Sequence, residues 1–167
     1  GSKIYYVNAD DHYKGQVEKL ELLEPHKINV LLPNHNGFDT DKLTQLIGQL
    51  TKDKQAMGQV IILDTLKKFT DLMDKKASSE FGKLARTFVG AGGTIIALAH
   101  TNKNKDDEGK GVAGGTSDIM DDCDCAFLIE GRGPDGHNKY RAIFDNTKAR
   151  GDVAQKVAFQ YSKLDGC

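Results

Sequence analysis

Apolar and polar positions follow two alternating rhythms along the chain. The runs KIYYVNA (3–9), INVLLP (28–33), QVIILD (59–64) and TIIALAH (94–100) are nearly continuous in aliphatic and β-branched residues, which predicts strands. Longer amphipathic stretches separate them. GQVEKLELLEP (15–25) reads as a helix stopped by Pro25. FDTDKLTQLIGQLTKDK (38–54) reads as a helix capped by Asp39 or Thr40, with Leu43, Leu46, Ile47 and Leu50 on one face. SSEFGKLARTFVGAG (78–92) offers Ser78 or Ser79 as a cap, turns Phe81, Leu84, Ala85 and Phe88 inward, and ends in glycines. Strands alternating with helices predict an α/β fold with a mostly parallel sheet, in which the unbroken run before Asp64 is buried on both faces.

The rhythm changes after residue 100. TNKNKDDEGKGVAGG (101–115) is polar, charged and glycine-rich, and predicts a mobile loop. TSDIMDDC (116–123) predicts a short helix leading into a strand, DCAFLIEG (124–131). GRGPDGHN (131–138) has turn composition, and KYRAIFDNTKA (139–149) and VAQKVAFQYS (153–162) follow as strands. These three strands predict an antiparallel extension at the edge of the parallel sheet.

With 167 residues, 38% of them hydrophobic, the chain supports one domain, spanning residues 3–162. Lys and Arg total 23 against 24 Asp and Glu, so any nucleic-acid contact must come from a local patch. Cys123, Cys125 and Cys167 are odd in number and contain no CxxC pair. That pattern fits a reduced, cytoplasmic protein better than a disulfide scaffold, and core or edge thiols better than a metal site. No apolar run approaches the roughly 18 residues of a membrane helix. The opening Gly1-Ser2 is read as a scar of tag removal, which would place the start of the chain inside a longer protein.

In an open α/β sheet the carboxyl ends of the strands form the ligand crevice. Asp10 and Asp11 follow the first strand, Asp64 ends the third, and His100 and Asn102 follow the fourth. A single Asp after a strand is commonly a cap or turn residue. Acids and an imidazole on several strands at one edge instead predict a shared site for polyphosphate and magnesium. Asp64 would hold the cation through water, Asp10 would polarise an attacking water, and His100 would sense the terminal phosphate.

VIILD resembles the second nucleotide-binding motif of P-loop ATPases. In series with YYVNADD, IIALAHTNK, GGTSDIMDDCDCAFLI and FDNTKARGD, it is similar to the core of RecA-like ATPases. The nearest resemblance is to the hexameric helicases associated with plasmid replication and phage primases. That resemblance implies an ATP-hydrolysing motor with Asp64 as the magnesium-associated acid. Asp10, with Asp11 sharing the role, would stand at the catalytic glutamate position, and His100 at the sensor position. It further implies that Lys148 and Arg150 in TKARG reach a neighbour's nucleotide as a trans-acting finger. The 101–115 loop, with Lys103, Lys105 and Lys110, would contact single-stranded DNA, and the assembly would be a homo-hexamer.

A phosphate loop needs G-x-x-x-x-G-K-[ST], whose backbone N–H groups wrap the phosphates. Gly82-Lys83 is followed by Leu84 and Gly109-Lys110 by Gly111, so the motif is absent from these 167 residues. In the resembled family it lies just upstream of the strand that starts here at Lys3. The expectation is therefore a RecA-like core lacking its P-loop strand and inactive by itself, with ATP and magnesium belonging to the full-length protein. That loss should leave TIIALAH and CAFLIEG either separated or newly paired. A non-hydrolysing assembly or regulatory module, and a magnesium-dependent phosphoesterase using Asp10, Asp11, Asp64 and His100, are the alternative readings.

Overall fold

The computed structural model describes residues 1–33, 35–69, 75–105, 111–113, 122–134 and 139–162. Four parallel strands form its centre: β1 (Ile4–Asn8), β2 (Asn29–Leu31), β3 (Val60–Asp64) and β4 (Thr94–Leu98), in the spatial order β2-β1-β3-β4. Helices α1 (Tyr13–Leu23), α2 (Thr40–Lys52) and α3 (Lys75–Gly90) form the connections that parallel pairing demands. Pro25 falls in a 3₁₀ turn, Glu24–His26, directly after α1.

The predicted helix faces are the ones that close the core. Leu43, Ile47 and Leu50 of α2 and Phe88 of α3 are buried with Val7, Ile61 and Leu63, while Leu46, Phe81 and Leu84 pack around them. Asp39 caps α2 by accepting a hydrogen bond from the Lys42 backbone N–H at 2.8 Å. Helix α3 already runs from Lys75, so neither Ser78 nor Ser79 caps it, and Ser78 is buried within the helix. The glycines after α3 close a double-bonded C-terminal turn. Gly93 N donates to Phe88 O at 3.1 Å and Gly92 N to Val89 O at 2.9 Å, with Gly92 at φ +91°.

Burial of β3 on both faces is only half met. Registered pairing puts Val7, Ile61 and Leu63 on one closed face, but Val60 and Ile62 on the other are half-buried, and neighbouring Ile96 is 46% exposed. The reason lies in α1, which contributes no buried residue and so covers that face incompletely.

The predicted 101–115 loop contains a hairpin: β5 (Thr101–Lys105) pairs antiparallel with β6 (Gly111–Ala113). The expected helix at 116–123 falls almost entirely outside the described residues. Strands β7 (Cys125–Arg132), β8 (Lys139–Ala149) and β9 (Lys156–Ser162) pair antiparallel in chain order, as predicted. They do not extend the parallel sheet, however. They form a separate three-stranded sheet, leaving β4 as the last strand of the parallel order. Of the two expectations for TIIALAH and CAFLIEG, they are separated. No described helix is long and apolar enough to cross a membrane.

Candidate functional site at the carboxyl ends of the parallel strands

Parallel register brings the strand tips together. Asn8 pairs with Asp64, and Asp64 with Leu98, so the residues following β1, β3 and β4 share one rim. Two clusters form there. In the first, His100 Nε2 lies 2.9 Å from Asp10 Oδ2, and Lys68 Nζ lies 3.6 Å from Asp10 Oδ1. The hydrogen bond from His100, followed by the nearby Lys67 and Lys68, holds the Asp10 carboxyl below its ordinary pKa. A cleft of about 260 Å³, lined by Ala9, Pro33, Asp39, Thr40 and Lys68, opens beside it.

The second cluster surrounds Asp64, which is 9% exposed. Lys19 reaches from α1 to Asp64 Oδ2 at 2.6 Å and to Asp11 Oδ2 at 2.7 Å. The Tyr6 hydroxyl donates to Asp64 Oδ2, and Asn8 Nδ2 donates to Asp11 Oδ2 at 3.1 Å. Lys19 also lies 5.4 Å from the Tyr6 ring centroid. The peptide joining Asp64 to Thr65 is cis.

Each ionisation follows from these contacts. The hydrogen bond from Lys19 holds Asp11 below its ordinary pKa. Burial, reinforced by the bond to Asp64, pushes Tyr6 up to about 12, so its hydroxyl remains a donor throughout the physiological range. Burial alone would lower Lys19, but its bonds to Asp11, Asp64 and Tyr6 outweigh that and keep it charged.

A pH dependence follows. Asp11 titrates lower when folded than when unfolded, so its contribution to stability is complete above the unfolded carboxylate pKa, about 4. It is lost as pH falls through the folded value. Denaturant midpoints measured from pH 7 to pH 2 should therefore fall below about pH 4, and less steeply in Asp11→Asn. An equally steep fall in that variant would contradict the assignment.

Two further features mark the site. Asn8 Oδ1 and Thr65 Oγ1 are buried without a hydrogen-bond partner. Among the described residues, no three His, Cys, Asp or Glu side chains gather as a complete metal-binding group.

The sequence-predicted acids Asp10, Asp11 and Asp64 and the imidazole of His100 do meet at this rim. Lys148 lies on β8 of the three-stranded sheet and Arg150 directly follows that strand. Lys148 pairs with Ala126 across β8 and β7, and Arg150 donates its backbone N–H to Asp124 O at 2.7 Å, with Nη1 3.9 Å from Asp124 Oδ1. Lys103 and Lys105 lie on β5, and Lys110 falls outside the described residues. Sequence reasoning missed Tyr6, Asn8, Lys19, Thr65 and Lys68. The available signal was the alternation of Tyr6 and Asn8 within β1, which makes the end of one strand face polar.

No known family matches the chain, and no curated protein is significantly similar to it.

Proposed function

We propose that these residues form the acid-and-sensor half of a RecA-like, ATP-hydrolysing motor that works on DNA as a homo-hexamer. One observation carries the reading. In the order β2-β1-β3-β4, Asp10, Asp64 and His100 stand at the carboxyl ends of three adjacent parallel strands, and among the described strands β4 ends the sheet on the side where the resembled family sets its phosphate-loop strand.

The chain's own groups suit the chemistry. Asp10, ionised and held by His100 and Lys68, orients a water for attack on the terminal phosphate. Through the same 2.9 Å contact, His100 couples the occupancy of that position to β5, which begins at Thr101. Asp64 would hold magnesium, and the unpartnered oxygens of Asn8 and Thr65 suit a hydrated cation nearby. When bound, that ion neutralises charge on the phosphates. Lys148 and Arg150 are the proposed trans-acting pair, and Lys103, Lys105 and Lys110 the proposed DNA contacts.

The 167 residues by themselves should show no micromolar binding of magnesium–ATP in calorimetry, because the phosphate-wrapping motif is not among them. Micromolar affinity would overturn the split-site reading. In a chain that also carries the phosphate loop, Asp10→Asn should slow ATP hydrolysis by about 100-fold with little change in nucleotide affinity. Unchanged turnover would remove Asp10 from the mechanism.

A further inference from the structure

The state of the two carboxylates nearest Tyr6 depends on a residue of α1. Lys19 lies at 2.6 Å from Asp64 Oδ2 and 2.7 Å from Asp11 Oδ2, so one ammonium bridges two acids that would otherwise repel each other. Two acids and one ammonium leave a local charge of one negative unit. A hard divalent cation seeks carboxylate oxygens of this kind, and on each of these two acids Lys19 already holds one.

A second observation points to an oxygen-seeking ligand. Asn8 is wholly buried, its Nδ2 donates to Asp11, and its Oδ1 has no partner. Thr65, 4% exposed and next to Asp64, also has an unpartnered Oγ1. Buried polar atoms left unpaired are costly, and both lie beside residues of the Lys19 bridge.

We propose that Lys19 is a built-in counter-ion that competes with a divalent cation for Asp11 and Asp64. It keeps the acids paired while the cation is away and swings aside when the cation enters. The proposal rests on the reading of Asp64 as the metal-holding acid. The side chain is suited to this exchange: its ammonium is a compact charge on a flexible four-carbon stem, a third of it is exposed, and its helix contributes no buried residue. An arginine there would grip both carboxylates with a planar fork and yield less readily. Lys19 is thus a positioning residue, setting when the acids become available rather than touching substrate.

The test is a titration of the 167-residue chain with Mn²⁺, followed by electron paramagnetic resonance of the free ion. Lys19→Met and Lys19→Gln remove the competitor and should each tighten Mn²⁺ binding about tenfold, with native circular dichroism. Lys19→Arg, which keeps both the charge and the ion pairs, should bind Mn²⁺ no better than the parent chain. Adding Asp64→Asn to Lys19→Met should abolish the gain. If Mn²⁺ binds the parent chain but Lys19→Met and Lys19→Gln bind it equally or more weakly, or Lys19→Arg binds it more tightly, the counter-ion role is wrong. If neither the parent nor the Lys19 variants bind Mn²⁺, or the gain survives Asp64→Asn, the assignment of Asp64 as the metal acid fails, and the counter-ion role with it.

Discussion

Replacing Asp64 by asparagine is expected to lower ATP turnover by about 100-fold or more, in a chain carrying the phosphate loop, while leaving the fold intact. Asparagine has the same shape and its amide oxygen can still accept from the Tyr6 hydroxyl, so the hydrogen-bond frame at the tip of β3 persists. What it removes is charge. Lys19 would then face only Asp11, and the loss of one partner from a largely buried ion pair should cost about 1–3 kcal/mol of stability, moderated because Lys19 is a third exposed. Activity and stability should therefore separate. Steady-state hydrolysis would show the large loss, and urea unfolding of the same variant only a modest shift. If turnover fell no more than the folded fraction did, Asp64 would be a strand cap and nothing more.

Phe88→Ala should be the most damaging change in the core, costing about 3–5 kcal/mol. Phe88 is wholly buried, and it supports the structure twice: its ring fills the space between α3 and the sheet, and its carbonyl accepts the bond that turns the chain into β4. The complementary change is Gly93→Ala. A Cβ at Gly93 would clash with the edge of the Phe88 ring, so this small substitution should itself cost about 1–3 kcal/mol through overpacking. The two losses should not add, because removing the ring empties the space the new methyl needs. Chemical denaturation of the two single variants and the double variant closes the cycle. Simple additivity would mean that the Gly93 methyl meets something other than the ring.

The elements that were legible share a physical cause. VIILD and TIIAL announce themselves because parallel strands are apolar through most of their length, and α2 does so because its leucine and isoleucine stripe has helical period. The acids at the strand tips were legible through the crevice rule, which requires only the strand ends and their direction. Lys19 was not, because its contact with Asp64 depends on how α1 lies across β1 and β3, and its own amphipathic pattern is too weak to fix that rotation. The hairpin at 101–113 was hidden for a different reason: Thr101–Lys105 carries no apolar alternation, and backbone pairing alone makes it a strand. Likewise, β7, β8 and β9 disclose their own pairing through turn and alternation, but nothing in their composition says which sheet they join.

Strand β4 carries a consequence for handling the protein. Natural sheets blunt their outermost strands with lysine, proline or a bulge, whereas Thr94–Leu98 has no charge and no proline, and its Ile96 is half uncovered. Five residues of this kind, with no strand on their outer side among the described residues, have the composition that seeds intermolecular β-stacking. Concentrated or slowly refolding samples are expected to aggregate through it, and a lysine at position 96 is the economical remedy.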